Sequence, residues 1–380
     1  MRLAYLCRVQ KATPLLELHR SLGAQITVFG GWEMPLRYQS ELKEHQAVRE
    51  RVGLFDLSHM GEFLVRGPGA AAYLQRLLTN DLARLTPGRA QYTFLLNPQG
   101  GVLDDLIVYQ LEPELFLLVV NAAHIEKDWV WLQDHLPSAG VELQDISEET
   151  VLLALSGPDS TTILSPLAEN VGVSTLPYYS CDKGVVAGIS NVLVATTGYT
   201  GEWTYELFVR REAGTRLWEA IMNQGAVQPA GLSARNTLRL EMGYLLCGQD
   251  MDEETTPLEA GAGWAVKLDK GDFIGREALL RQKAQGLTRK LVGLVSESPR
   301  VIPREGMALL SEGGQPLGRI TSGTLSPTLQ RGIALGYVPA TVSVGEKVWI
   351  DLRGQRVPLT VTRPPFVSDT SLLRRQKARL

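Results

Sequence analysis

Gly100-Gly101-Val102-Leu103-Asp104-Asp105-Leu106-Ile107-Val108-Tyr109 sets two carboxylates inside a run that otherwise has the character of a buried β-strand. Side chains alternate faces along a strand, so Asp104 and Asp105 point to opposite sides. Val102 and Leu106 flank the first on its face, and Leu103 and Ile107 flank the second. A carboxylate between apolar neighbours is costly to ionise unless a partner stabilises it, and such costs concentrate at functional sites. The alternative is a strand end, with both acids capping a turn in water. The flanking sequence puts the segment in context. Residues 92–96 and 115–121 also have strand character, linked to it through Asn97-Pro98-Gln99-Gly100-Gly101 and Glu112-Pro113-Glu114. Links this short favour antiparallel neighbours, so the paired acids lie on a meander. A helix is expected next, over about 125–135.

Working outward, a strand at 63–66 runs into Gly67-Pro68 and a helix with Ala70, Tyr73, Leu74, Leu77 and Leu78 on one face. Pro68 suits a first helical position, where a missing N–H does no harm. A similar pattern recurs at 151–156, Gly157-Pro158 and then Ile163, Leu164 and Leu167, which suggests two α+β units. From Lys290 onward the pattern changes to short runs at 290–295, 307–310, 317–321, 333–338, 347–352 and 357–362. Turns such as Glu312-Gly313-Gly314 separate them. Regular short strands of this kind point to a small β-sandwich or barrel, with 272–285 as a linking helix before it.

A chain of 380 residues is too long for one ordinary core, so two or three domains are expected. It is 44% hydrophobic and 21% charged with a formal net charge of −3, which offers no basic footprint for nucleic acid. Cys7, Cys181 and Cys247 are odd in number and far apart, as suits free thiols in a reducing compartment. No apolar run approaches the roughly 18–20 residues of a membrane span. The N-terminal Met1-Arg2-Leu3-Ala4-Tyr5-Leu6-Cys7-Arg8 is too short an apolar stretch for a secretory signal, so it is taken as an extension and a cytoplasmic location is expected.

Several motif classes are absent: a phosphate-binding Gly-rich loop ending in Lys-Ser/Thr, a dinucleotide fingerprint, and paired His or Cys at metal-ligand spacing. The five histidines, His19, His45, His59, His124 and His135, are scattered, and no metal is expected. His59 lies in a dense cluster and is taken as a satisfied structural histidine. Two other clusters are candidates for chemistry, each against a structural reading. In Thr197-Gly198-Tyr199-Thr200-Gly201-Glu202-Trp203-Thr204-Tyr205-Glu206 the glycines free the backbone for close approach to a ligand. Tyr199 there offers an aromatic face with a polar tip, and Glu206 two oxygens for the adjacent N–H donors of a flat heterocycle. A plain hairpin with a Gly turn is the competing reading. In Gly231-Leu232-Ser233-Ala234-Arg235-Asn236-Thr237-Leu238-Arg239-Leu240-Glu241, helical spacing puts Leu232, Arg235, Leu238 and Arg239 on one face. One arginine could pair with Glu241 or another acid, and the other could meet an anionic ligand. Gly248–Glu254 lacks Ca-loop spacing and is taken as a polar loop.

In order and spacing, these clusters resemble the glycine cleavage T-protein (aminomethyltransferase) family, from about Thr13 to Phe366. The resemblance rests also on Gly31-Trp32-Glu33-Met34-Pro35-Leu36, Phe55-Asp56-Leu57-Ser58-His59-Met60-Gly61-Glu62 and Ile320-Thr321-Ser322-Gly323 with Ser326-Pro327-Thr328-Leu329. It implies an α+β, three-domain cloverleaf around a folate cavity. The implied parts are a discontinuous folate-binding domain (1–63 and 152–270), a ferredoxin-like insert (64–151), and a linking helix with a C-terminal β-barrel (271–380). The implied reaction moves the methylene of an aminomethyl-lipoyl arm, carried by H-protein, to tetrahydrofolate. Its products are 5,10-methylenetetrahydrofolate, ammonia and dihydrolipoyl H-protein.

By resemblance, Asp105 is the catalytic acid at the folate N10 and Asp104 is structural. Glu206, Tyr199 and Arg235 match positions that hydrogen-bond folate, and Met60, Leu64, Tyr92, Tyr109, Asn121 and Tyr178 match positions that line its pocket. Arg375 is the nearest equivalent of an arginine at the lipoyl entrance. The chain departs from the family pattern at Ser233 and Asn236 beside Arg235, and at Trp203-Thr204 after Glu202. The same fold also serves folate-dependent demethylases, folate domains fused to sarcosine-type dehydrogenases, and a folate-binding protein of iron–sulfur upkeep. The fusion reading lacks its flavin half here, and the binding-only reading predicts loss of the acid that Asp105 supplies.

Overall fold

The computed structural model describes residues 11–378. The expected N-terminal extension around Met1–Arg8, and Cys7 with it, lie outside the described residues.

The acid-bearing segment becomes the strand Val102–Glu112, between Arg89–Leu96 and Leu115–Val120 in an antiparallel meander. The strand Gly61–Arg66 adds beyond Leu115–Val120, and Glu142–Asp145 completes a five-stranded sheet. Two glycines make the turn into the acids possible. Gly100 adopts φ +85°, and a Cβ on Gly101 would come within 1.8 Å of the Glu253 carbonyl oxygen. The helices Ala70–Leu77 and Ile125–Asp134 contribute Tyr73, Leu74, Leu77, Ile125 and Leu132 to the core on one face of this sheet. The first of them begins at Ala70 with Gly69 as its cap, so Pro68 belongs to the preceding turn and not to the first helical position. The positive φ of Gly67 turns the chain too sharply for the helix to start there.

A second, seven-stranded sheet has Thr150–Ser156 between Thr204–Arg210 and Gly53–Asp56. Alternation along its strands gives it two buried faces. Val151, Leu153, Leu155, Tyr205 and Leu207 pack with Leu217, Trp218 and Ile221 of the helix Gly214–Met222. Leu152, Ala154 and Phe208 pack instead against Tyr109, Leu117 and Val119 of the five-stranded sheet. The two sheets thus stack face to face through an apolar layer. Backbone hydrogen bonds stitch one edge, from Ala90 N–H to the Tyr179 carbonyl (2.9 Å) and from Cys181 N–H to the Gly88 carbonyl (2.8 Å).

All six runs expected after Lys290 are strands, and they close into an antiparallel barrel spanning Arg289–Thr362. The helix Arg276–Gln285 links it to the preceding chain. Among the described residues no helix is long and apolar enough to cross a membrane.

Candidate active site between two sheets

Asp105 and Tyr109 share the face of the five-stranded sheet that meets the seven-stranded one, while Glu206 and Phe208 share the facing side of the other. One carboxylate therefore comes from each sheet. Asp105 Oδ2 accepts from the Tyr92 hydroxyl at 2.8 Å, and its Oδ1 accepts from Asn121 Nδ2 at 2.9 Å. Tyr92 stands across the ladder at Ile107, and Asn121 ends the neighbouring strand, so pairing register alone delivers all three. Burial and the charge of Asp104 push the Asp105 carboxyl up to about 7. A carboxyl poised there can give and take a proton at neutral pH.

Glu206 Oε2 accepts from the Thr197 hydroxyl and from Tyr109 (3.2 Å), and Tyr109 and Thr197 also share a 2.6 Å hydrogen bond. Thr197 carries no signal that sequence analysis used; its neighbours Gly198 and Tyr199 drew the attention instead. Oε1 takes no hydrogen bond among the described residues. The paired-acceptor expectation is therefore corrected: one oxygen is spent on positioning, and one stays open to a ligand. Burial raises this carboxyl above its ordinary value.

Arg235 places its guanidinium 4.6 Å over the Tyr199 ring, whose hydroxyl donates to the Leu245 carbonyl. No ion pair holds Arg235 among the described residues. Its field instead reaches Glu206 and His59. His59 is fully buried, and its Nδ1 finds no hydrogen-bond partner among the described residues, which corrects the expectation of a satisfied histidine. Burial, followed by the positive charge of Arg235, holds the ring neutral with a pKa near 3. The ring packs edge-on to Phe29.

The remaining residues from the sequence divide. Met60 packs at the rim of the intersheet core. Tyr178 lies among Tyr179, Trp203 and Tyr244. Leu64 touches the same intersheet core but also borders a separate surface groove with Arg66 and Glu112. Arg375 sits 4.3 Å over the Trp203 ring and donates to Thr161 at 2.9 Å, on the helix Ser371–Lys377. The departures at Trp203 and Asn236 therefore have local roles. Trp203 is the floor beneath Arg375, and Asn236 accepts from Arg239 at 2.9 Å, not from Arg235. Trp264, which is exposed and stacks on Tyr92 at 5.3 Å, and Tyr244, stacked on Tyr199 at 5.8 Å, join these residues although no sequence motif marks them.

Of the two arginines, Arg239 is the paired one, but its acid is Asp250 (2.7 Å), not Glu241. Asp250 is fully buried and also accepts from Thr321 and Ser322 (2.6 Å each), so the stretch taken as a polar loop contains a buried anchor. Asp250 meets donors that lie far away in sequence, which composition cannot reveal. Cys181 and Cys247 are free and buried. Asp104, His124 and Cys247 bring ligand atoms within 4.8 Å of one another although they are far apart in sequence.

Two facing sheets with a buried acid from each, followed by a closed six-stranded barrel, define the class: a multi-sheet α+β protein with a C-terminal barrel. Residues 15–270 match the GCVT N-terminal domain, and residues 289–368 match the glycine cleavage T-protein C-terminal barrel domain. The aminomethyltransferase of Bacteroides thetaiotaomicron is 46% identical over 361 residues, covering 94% of this chain and 99% of that protein. That of Symbiobacterium thermophilum is 48% identical over 365 residues, covering 94% and 97%. The crystal structure of glycine cleavage system aminomethyltransferase T from Bartonella henselae has a TM-score of 0.89 at 35% identity, covering 94% of this chain and 98% of that one. The chain belongs to the glycine cleavage T-protein family of aminomethyltransferases.

Proposed function

We propose that the chain takes the methylene group from aminomethyl-lipoyl H-protein and passes it to tetrahydrofolate. The products are ammonia, 5,10-methylenetetrahydrofolate and dihydrolipoyl H-protein. The observation that carries this reading is Asp105, a carboxyl near neutral pKa clamped by Tyr92 and Asn121 and facing Glu206 across the layer. Breaking the carbon–sulfur bond builds positive charge on an iminium-like carbon, and a fixed carboxylate in a poorly hydrated site stabilises it. The same group can remove a proton from the attacking folate nitrogen.

Glu206 Oε1 accepts an N–H of the pterin, Tyr199 and Arg235 hold its polar edge, and Met60, Leu64, Tyr92, Tyr109, Asn121 and Tyr178 wall the pocket. Arg375 guards the lipoyl entrance, supported by its seat on Trp203. This assignment gives the charge stabilisation to Asp105 and invokes no metal. The proposed division is 1–63 with 152–270, then 64–151, then 271–380 around a central folate cavity. Sheet membership supports it to within a few residues: the five-stranded sheet, the seven-stranded sheet and the barrel share no strand, although Gly61–Arg66 and Thr150–Ser156 each straddle one of these bounds. The cytoplasm is the proposed compartment, supported by the buried free thiols.

The deciding experiment measures ammonia and methylenetetrahydrofolate released from aminomethyl-loaded H-protein, with and without tetrahydrofolate. Folate-dependent release of both is expected. Absence of release from protein that still binds folate overturns the reading.

A further inference from the structure

Behind Asp105 lies a set of ionisable groups that the transfer reading leaves unused. Asp104 faces the helix Ile125–Asp134 and is fully buried. Its Oδ1 meets His124 Nδ1 at 2.7 Å and Asn121 Nδ2 at 2.9 Å, and its Oδ2 accepts the Asn121 backbone N–H at 3.0 Å. The same Asn121 Nδ2 stands 2.9 Å from Asp105 Oδ1. One amide group therefore bridges the two carboxylates, although they leave the strand on opposite faces. Among the described residues no Lys or Arg pairs with either acid; only His124 reaches Asp104.

We propose that Asp104 is a positioning residue of the transfer site: clamped by His124 and Asn121, its buried charge governs how readily Asp105 gives up its proton. The inference rests on the role proposed for Asp105 above. Two carboxylates this close resist ionising together, and the one with more donors ionises first. Asp104 has those donors. Burial opposes its ionisation, but His124, Asp128 and Asn121 outweigh it and hold the carboxyl below its ordinary value. Asp128, on the same helix, is fully buried, and neither of its oxygens has a hydrogen-bond partner among the described residues. Burial and the charge of Asp104 push it to about 10, so it keeps its proton and adds no charge.

Cys247 faces both acids from its loop, and burial pushes its thiol up. Tyr92 bonds Asp105 directly, while Tyr179 and Tyr199 feel its charge across the layer. Lys127 is turned to the Leu103 carbonyl and Glu253, and reaches Asp128 and Cys247 only through its field. The cluster acts through its charge.

The test uses the full chain and the variants Asp104→Asn, His124→Ala and Asp128→Asn. Infrared difference spectra against Asp105→Asn follow the protonation of Asp105, alongside the pH profile of kcat. Asp104→Asn is expected to move the Asp105 titration, and the acidic limb of kcat, about one pH unit or more toward acid. His124→Ala strips a donor from Asp104, so it moves both in the same direction by less. Asp128→Asn leaves them in place. A titration unmoved by Asp104→Asn in folded protein, or moved equally by Asp128→Asn, overturns the proposal. Should Asp104→Asn not fold, an unmoved His124→Ala titration overturns it. Loss of folate-dependent transfer in the wild-type chain, with the spectra behaving as expected, would sink the functional reading alone.

Discussion

Asp105 commits one oxygen to Asn121 and one to Tyr92, which fixes the carboxyl's plane without neutralising it. Asp105→Asn preserves that shape and removes the proton acceptor. Transfer should fall by about 10²–10⁴-fold while folate affinity stays within a few-fold, checked by single-turnover release and by fluorescence titration. The same substitution should affect stability in the opposite sense. Because the folded carboxyl sits at about 7, above its unfolded value, Asp105 favours the native state only at low pH. That contribution is lost as pH rises through 7. Asp105→Asn should therefore melt a few degrees higher than wild type at pH 8, with the gap closing toward pH 4. Equal melting temperatures at pH 8 would contradict the buried-acid account. Glu206→Ala removes the open acceptor and should weaken folate binding about ten- to a hundredfold, read as a dissociation constant.

At the scale of elements, the helix Leu232–Met242 turns three charged side chains to different tasks. Arg235 faces the intersheet site, whereas Arg239 is 1% exposed and reaches Asp250 at 2.7 Å and Ser322 at 2.8 Å. Ser322 belongs to the barrel strand Pro316–Ser326, so this contact ties the helix to the barrel. Breaking a buried pair strands the other charge, and Arg239→Met should cost about 3–5 kcal/mol by denaturant titration. Adding Asp250→Asn should recover part of that loss. A single variant within 1 kcal/mol of wild type, as an approximate bound, would mean the pair is dispensable.

For the whole molecule, Glu241 is the joint. It receives Arg49 at 2.8 Å and His45 at 3.3 Å from the helix Glu41–Glu50, and Ser326 (2.5 Å) and Thr328 (2.9 Å) from the barrel. Burial alone would raise this carboxyl, but those donors outweigh it and hold it at about 2. Its stabilising effect is present above the ordinary glutamate range and is lost as pH falls toward 2. Glu241→Gln should cost about 3 kcal/mol at pH 7, and its stability should decline less steeply below pH 4.5 than that of wild type. Parallel acid denaturation curves for the two proteins would refute this.

What the sequence determined by itself is local. Alternation and short turns in 92–121 settle three antiparallel strands, and the Gly-punctuated runs after Lys290 settle six strands, because strand period and turn chemistry act over a few residues; that those six close into a barrel and not a sandwich came from the tertiary structure. The ordered motifs are also enough to mark the family, and they name Asp105 and Glu206 as candidates. What only the tertiary structure decided is who meets whom. Arg239 finds Asp250, Glu206 spends an oxygen on Thr197, His59 Nδ1 has no hydrogen-bond partner among the described residues, and His124 reaches back to Asp104. These pairings join residues on separate elements, and a buried charge takes whichever donors the packed sheets bring within hydrogen-bond reach.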